Sequence, residues 1–403
     1  LQPVKGSAQL RIKGDWRDHF NHPSKLSFRI KVGAPEYVFG MRRFSIQHPK
    51  TRKFQAELLL LEEMRRWDVL APRYRFVDVR INDQPIGIMA LEEHYSKELL
   101  EAQRRREGPI VVLDEDPMWR QRDLNYRVNA DRVPGLDVND VNVSPLDMPV
   151  RQFRQPGWMP GSTATTNSVR GLSLYRDFLD GRVAATDAFD LDKMARWWVL
   201  TNAWHGCHAS ETHNRRFYFN PTTNLLEPIS FDNLPVPHKY RTLAAPCDDL
   251  VAPGLLLEPR FREQVLGFAE TLVEAYQDPQ WQADFRARQR RLMAYLALEH
   301  MHPSRLYLAD VLENLAHFIE RVDFAGAERH VVDATRDFPR KYPEAELHTR
   351  LRAFLYPVDS AGIAPGMVLQ LKNLTSEPLS GLRVTLVENG ETVSYTHLRA
   401  HET

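Results

Sequence analysis

His205-Gly-Cys-His-Ala-Ser-Glu-Thr-His-Asn214, followed by a hairpin that delivers Phe231-Asp232-Asn233, is the stretch on which the reading of this chain turns. A metal-assisted phosphoryl-transfer site needs a base or positioning group, an Asn ligand a few residues later, and a metal-binding Asp after a short hairpin. His208, Asn214 and Asp232 stand in that order. The oxygens of Asn and Asp are hard donors that suit Mg²⁺ or Mn²⁺. The hairpin is predicted over 216–219 and 226–231, turning at Asn220-Pro-Thr-Thr-Asn224, and it can return Asn214 and Asp232 to one edge. Spacing of this kind is weak by itself, because polar loop residues that cap backbone groups give the same pattern.

Upstream, residues 190–203 read as a helix leading into this segment, with Trp197 and Trp198 beside Val199 and Leu200 expected in the core. Nearer the N-terminus, residues 8–13 and 26–32 alternate as strands. Leu26, Phe28, Ile30 and Val32 share one face, and Ser27, Arg29 and Lys31 the other. A third strand is predicted at 43–46 and a helix over 51–68, where Phe54, Leu58, Leu61 and Met64 recur at helical spacing and Pro72 bars continuation. Strands at 74–81 and 86–91 flank Asn82-Asp83-Gln84-Pro85, a hairpin signal.

Glu57 falls on the apolar stripe of the 51–68 helix, whereas Glu62 and Glu63 fall elsewhere around it. A buried carboxylate needs a partner, and Arg29 or Lys31 on the adjacent sheet is the expected mate. The plainer reading is a boundary carboxylate that reaches solvent.

Further along, 95–106 reads as helical and 131–166 as loop-rich; helices are predicted over 260–277, 280–299 and 304–322, and strands at 367–372 and 382–387 begin another β domain. Arg104-Arg-Arg106 is expected to be a solvated helix face. The closing run Val393-Ser-Tyr-Thr-His-Leu-Arg-Ala-His-Glu-Thr403 resembles a translated sequencing adapter, so the chain is expected to be a fragment with a non-native tail at 393–403.

Across its 403 residues, 53 Lys plus Arg balance 53 Asp plus Glu, which argues against a nucleic-acid partner. No window supplies the roughly 18 consecutive apolar residues of a membrane-spanning helix. Cys207 and Cys247 are the two cysteines, compatible with one bridge or two free thiols.

Several motifs then carry a resemblance. Lys25-Leu-Ser-Phe-Arg-Ile-Lys31 is similar to the Lys-x-Ser-Phe-Arg-Ile-Lys signature of the spore coat protein H (CotH) kinase-like family, preceded as there by a strand ending in a Gly, here Gly14. Residues 40–46 resemble the Gly-x-x-x-x-x-Leu stretch that follows it. Residues 79–93, with Asn82, Gly87 and Glu93, resemble the family's strand, turn, strand and closing acid. His213-Asn214 with Arg216-Phe-Tyr-Phe-Asn-Pro221, and Pro228-Ile-Ser-Phe-Asp232, resemble its His-Asn hairpin and its metal motif.

The resemblance covers most of 8–233 and implies an α+β, bilobal protein-kinase-like fold. The expected division is a small β-rich N-lobe at 1–92 and a mostly helical C-lobe at 93–360 with a loop-rich insertion at about 107–170. A truncated β-sandwich-like domain would follow at 361–392. It further implies ATP with Mg²⁺ or Mn²⁺, transfer of the γ-phosphoryl group to a protein acceptor, and an extracytoplasmic or cell-envelope setting. On that basis Arg29 or Lys31 with Glu57 would hold phosphates, Glu93 would lie near the nucleotide, and Asn214 and Asp232 would ligate the metal. The family's usual Asp shortly before His-Asn is missing. Glu211 is the one acid between His205 and Thr212, and His208 aligns better, making it the candidate base; Ser230 stands for the first Asp of the Asp-x-Asp-Asn pattern.

Two other readings stay open. One is an inactive kinase-like module for binding or scaffolding on the envelope. The other is a metal-dependent hydrolase built on the donors His205, Cys207, His208 and His213, with Zn²⁺ or a Cys207 nucleophile.

Overall fold

Asn82 and Asp83 both take left-handed backbone, φ 50° and 62°, which is the conformation a tight two-residue hairpin requires. This turn joins β4 (Tyr74–Ile81) to β5 (Gln84–Glu93) in a computed structural model of the chain. The structure describes residues 5–14, 17–20, 22–129, 148–153, 162–237, 247, 252–256, 258–300 and 305–321, and the strand backbone at 351–358, 366–373, 384–388 and 391–395. Two compact units are formed, Leu1–Arg120 with Asn142–Val332, and Gln121–Val141 with Asp333–Thr403. The fold is mixed α+β with antiparallel sheets.

In the first unit, β1 (Ala8–Ile12), β2 (Phe28–Val32) and β3 (Arg43–Gln47) complete a five-stranded sheet in the order β1-β2-β3-β5-β4. Leu10 lies opposite Ile30, and Phe28 opposite Ile46. Phe28, Ile30 and Val32 alternate with Arg29 and Lys31 along β2, which begins at Phe28 rather than Leu26. The helix expected over 51–68 begins later. Residues Pro49–Arg52 form a separate one-turn 3₁₀ segment, and Lys53 and Phe54 have φ 56° and 55°, so the α-helical path cannot pass through them. α1 runs over Gln55–Arg66 and buries Leu60, Leu61 and Met64 completely.

A second sheet has the order β7-β6-β8-β9, from β6 (Ile110–Leu113), β7 (Val150–Gln152), β8 (Arg216–Asn220) and β9 (Leu225–Pro228). Helices α2 (Lys97–Ala102), α3 (Asp116–Asn129), α4 (Ser162–Leu179), α5 (Ala185–Ala188) and α6 (Leu191–Ala203) intervene, and α7 (Ala252–Leu256), α8 (Pro259–Gln277), α9 (Pro279–Leu296) and α10 (Leu308–Arg321) follow. The Asp190 carboxylate caps α6 by accepting from the Lys193 amide at 3.2 Å. Val199 and Leu200 of α6, Val265 and Leu272 of α8 and Phe318 of α10 belong to one buried cluster with α1. Trp197 and Trp198 are buried in it, as expected.

The stretch expected as a loop-rich insertion, about 107–170, holds β6, α3, β7 and the start of α4. The residues 130–147 and 154–161 within it lie outside the described residues. α4 opens with Ser, Thr and Asn, which are poor helix formers, and forms because packing outweighs propensity. Tyr175 is fully buried with its ring 4.9 Å from Phe217, and Gly171 lets the helix approach β8, since a Cβ there would meet Phe219 Cβ at 2.9 Å. Arg105 also departs from the solvated face expected of 104–106. It pairs with the buried Glu227 at 2.7 Å and with Asp68 at 2.9 Å.

In the second unit β10 (Leu351–Val358) pairs antiparallel with β11 (Gly366–Asn373), and β12 (Val384–Glu388) with β13 (Glu391–Tyr395). Val393, Ser394 and Tyr395, in the tail expected to be non-native, sit opposite Leu386, Thr385 and Val384. No described helix is long and apolar enough to cross a membrane.

Candidate functional site

After β9 the chain is anchored beside the end of α1, with the Ser230 amide donating to the Leu70 carbonyl at 2.8 Å. Ser230 Oγ then donates to Asn233 Oδ1 at 2.9 Å, closing a tight bend around Asp232. Asp232 itself has φ 56° and is 8% exposed. Its Oδ2 lies 2.9 Å from Arg52 Nη2, and its Oδ1 is buried with no hydrogen-bond partner among the described residues. Asp tolerates this left-handed backbone better than most residues, and here it turns the carboxylate into the bend.

Arg52 closes the Pro49–Arg52 turn, which His48 caps by accepting from the Lys50 amide at Nδ1, 3.0 Å. Its Nε is 3.7 Å from Glu92 Oε1, and the other Glu92 oxygen accepts from Lys13 Nζ at 2.6 Å. Asp232, Arg52, Glu92 and Lys13 therefore alternate in sign along one buried row. Burial opposes the charge on Arg52, but Asp232, Glu92 and Glu57 outweigh it and raise its pKa. Burial likewise opposes ionisation of Glu92, and Lys13 and Arg52 reverse that, holding its carboxyl below the usual range.

Glu57 is fully buried, so the solvent-reaching reading fails. Its partners are not Arg29 or Lys31. Oε1 accepts from the Asn233 backbone amide and side-chain amide, both at 3.1 Å, and Oε2 from the Leu234 amide at 3.0 Å. Burial and the neighbouring Asp232 charge push its pKa up to about 7, against the pull of Arg52 and these hydrogen bonds.

Arg29 is half-buried on β2 with its Nε unsatisfied among the described residues. Burial, together with Arg11, lowers its pKa, and Glu92 acts in the opposite sense. Lys31 is exposed and lines an open cleft of about 860 Å³ with Gln9, Arg42, Arg43, Ser96 and Lys97. Glu93 is committed elsewhere. Its Oε2 accepts from the Arg73 Nε and backbone amide, each at 2.9 Å, and Arg73 Nη2 binds the other oxygen. Strand alternation sends Glu92 and Glu93 to opposite faces, so Glu92 is the acid that reaches Asp232's neighbourhood.

The 205–214 segment forms two short 3₁₀ turns, Cys207–Ser210 and Thr212–Asn214. His208 Nδ1 is 2.9 Å from Glu211 Oε1, and its Nε2 is 3.8 Å from Asp232 Oδ2. Burial disfavours the charged ring, but Glu211 and Asp232 win and raise its pKa. Asn214 is buried and its Nδ2 donates to the His208 carbonyl at 3.0 Å. Cys207 is disulfide-bonded to Cys247, whose backbone amide donates to Asn202 Oδ1 at 2.7 Å.

No family model and no curated protein matches this chain. The site is thus read from its own geometry. It brings together His208, Asn214, Asp232 and Glu57, and adds Arg52, Glu92 and Lys13, which the sequence reading passed over. Lys13 and Glu92 carried a faint signal, as charged residues in otherwise alternating strands. Arg52 carried none, because an Arg at a helix start is ordinary.

Proposed function

We propose that this chain is a kinase-like phosphotransferase resembling the spore coat protein H family, binding ATP with Mg²⁺ or Mn²⁺ in a bilobal fold and phosphorylating a protein acceptor. The observation that carries the reading is the buried Oδ1 of Asp232, which has no hydrogen-bond partner among the described residues. It stands in a charged row where Arg52 Nε and Glu92 Oε1 face each other at 3.7 Å, also without a hydrogen bond. A hard divalent cation fits such an oxygen, and the Asn214 side chain is the second ligand in this reading. The cation, when bound, would offset the charge of the phosphates.

The remaining roles fall to the chain. Arg52 holds Asp232 Oδ2 and so aims Oδ1. Glu57 fixes the 233–234 backbone through three hydrogen bonds. Lys31, with Arg42 and Arg43, outweighs Glu98 and gives the open cleft a net positive lining suited to a triphosphate, whereas Lys97 there is paired with Glu101 and Glu107. Arg29 stands on the same face of β2 as Lys31. In the transfer, the acceptor hydroxyl oxygen bonds to the γ-phosphorus. The bond to the bridging oxygen breaks, ADP leaves with that electron pair, and the hydroxyl proton passes to His208 Nε2. Because Glu211 and Asp232 raise the His208 pKa, the neutral base form is favoured at the alkaline side of its usual range. The Cys207–Cys247 bridge supports an extracytoplasmic setting, since such bonds persist in oxidising compartments.

A second reading, an inactive kinase-like binding module, is favoured by Arg52 already neutralising Asp232 and by a histidine where an acid is usual. The hydrolase reading loses its nucleophile, because the Cys207 sulfur is in the bridge.

The test is calorimetric titration of the full chain with Mg–ATP, comparing the parent with Asp232→Asn, which keeps an acceptor for Arg52 and removes the charge. Saturable, metal-dependent binding that the variant weakens by at least tenfold supports the site. Absence of binding in a folded parent would falsify the ATP-dependent reading. Binding without phosphoryl transfer to any acceptor would favour the module.

A further inference from the structure

We propose that His208, Glu211 and His213 form a site for one transition-metal ion of the zinc class, distinct from the hard-cation position at Asp232. One donor atom from each of the three lies within 4.8 Å of the others. His208 Nδ1 is 2.9 Å from one Glu211 oxygen and His213 Nε2 is 3.5 Å from the other. Tetrahedral zinc, with bonds of about 2.0–2.2 Å, needs its ligand atoms roughly 3.3 Å apart. The two contacts are to different Glu211 oxygens, and donors spread over as much as 4.8 Å would draw together by rotation of these side chains to hold one ion. Two imidazoles and one carboxylate form a donor set of the borderline kind that suits zinc over magnesium. The ordinary alternative is a hydrogen-bonded trio at the surface; against it stands the way the two short turns are held.

The Cys207–Cys247 bridge fixes the residue before His208. Asn214 donates from Nδ2 to the His208 carbonyl at 3.0 Å and from its backbone amide to the Glu211 carbonyl at 2.9 Å. Ser210 Oγ donates to the Cys207 carbonyl at 2.7 Å. The three donors are therefore presented by a braced backbone rather than a free loop. On the far side of the His208 ring, Nε2 lies 3.8 Å from Asp232 Oδ2, beyond hydrogen-bond reach, so the Asp232 carboxylate is not what holds the ligating ring.

The consequence for the site is specific. An imidazole that coordinates through Nδ1 carries its proton on Nε2, where it can donate but cannot accept. An occupied triad would then block His208 as a base. Metal binding stands independently of the nucleotide reading, whereas this inhibition rests on it.

Cobalt is the probe, because four-coordinate Co²⁺ absorbs strongly in the visible. The full chain is titrated with Co²⁺, then with Zn²⁺ in competition, alongside His213→Ala, His213→Gln, Glu211→Gln and Asp232→Asn, each checked for parental circular dichroism. The expected result is one equivalent of four-coordinate Co²⁺ displaced by Zn²⁺, weakened at least tenfold in every folded His213 and Glu211 variant and retained in Asp232→Asn. The chain has 15 histidines, so the difference between parent and variant is the readout rather than total uptake. No saturable binding in the parent, or binding unchanged in folded His213 variants, overturns the proposal. So does loss of cobalt in Asp232→Asn with retention in His213→Ala, which assigns the ion to Asp232. Loss of Mg–ATP binding in Asp232→Asn with cobalt retained separates the two sites.

Discussion

Arg52 Nη2 and Asp232 Oδ2 meet at 2.9 Å, with their side chains only 7% and 10% exposed, so a turn after β3 and the segment after β9 are joined by a buried ion pair. Removing one partner strands the other charge away from water. Arg52→Met is expected to lower unfolding free energy by about 3–5 kcal/mol in a denaturant titration. The double variant Arg52→Met/Asp232→Asn should recover part of that. A loss below about 1 kcal/mol for the single variant would mean that the pair is screened like a surface bridge.

Glu57 gives a distinct pH signature. Its folded pKa, about 7, lies above the ordinary 4.5, so the folded state holds this proton more tightly. The stability it contributes is complete below pH 4.5 and is lost as pH rises through 7. The loss is on the order of 3 kcal/mol. Denaturation midpoints at pH 5 and 7.5 should therefore differ in the parent and converge in Glu57→Gln. An equal difference in both proteins would assign the slope to another group.

His48 works in the opposite sense. Burial, with His300 and Lys25 nearby, depresses its pKa from 6.5 to about 4. The stability linked to its neutral form is present above pH 6.5 and disappears as pH falls through 4. Protonation also removes the Nδ1 acceptor that caps the turn carrying Arg52. His48→Asn keeps a capping acceptor without titrating there, so its acid-unfolding midpoint should move to lower pH. An unmoved midpoint would rule His48 out as the acid trigger.

The Cys207–Cys247 bridge closes a loop of 40 residues. Cys207→Ser/Cys247→Ser is expected to lose about 2–4 kcal/mol and to unfold at the same temperature with or without reductant, whereas reductant should lower the parent's midpoint. A parent insensitive to reductant under conditions that free both thiols would contradict a stabilising bridge.

Which parts of this structure were readable in advance follows a physical rule. Alternation in 26–32 and 74–91 located the strands and a turn within 82–85, because period-two burial and turn residues are local properties, although pairing already resumes at Gln84 and the turn is Asn82-Asp83 alone. α4 was invisible, since its Ser- and Thr-rich opening reads as loop until Tyr175 and Gly171 find β8. At the site, Asp232 and Asn214 were visible as residue types in order, but their partners were not. Arg52 and Lys13 arrive through tertiary contacts with no sequence spacing to announce them, and the choice of Glu92 over Glu93 depended on strand parity.

The Glu57 clasp has a mechanical meaning. Because one carboxylate accepts from the amides of Asn233 and Leu234, the N-terminal end of α1 and the bend beside Asp232 are tied through a single side chain. Displacing α1 against that bend would strain all three hydrogen bonds at once, because they share a single acceptor group.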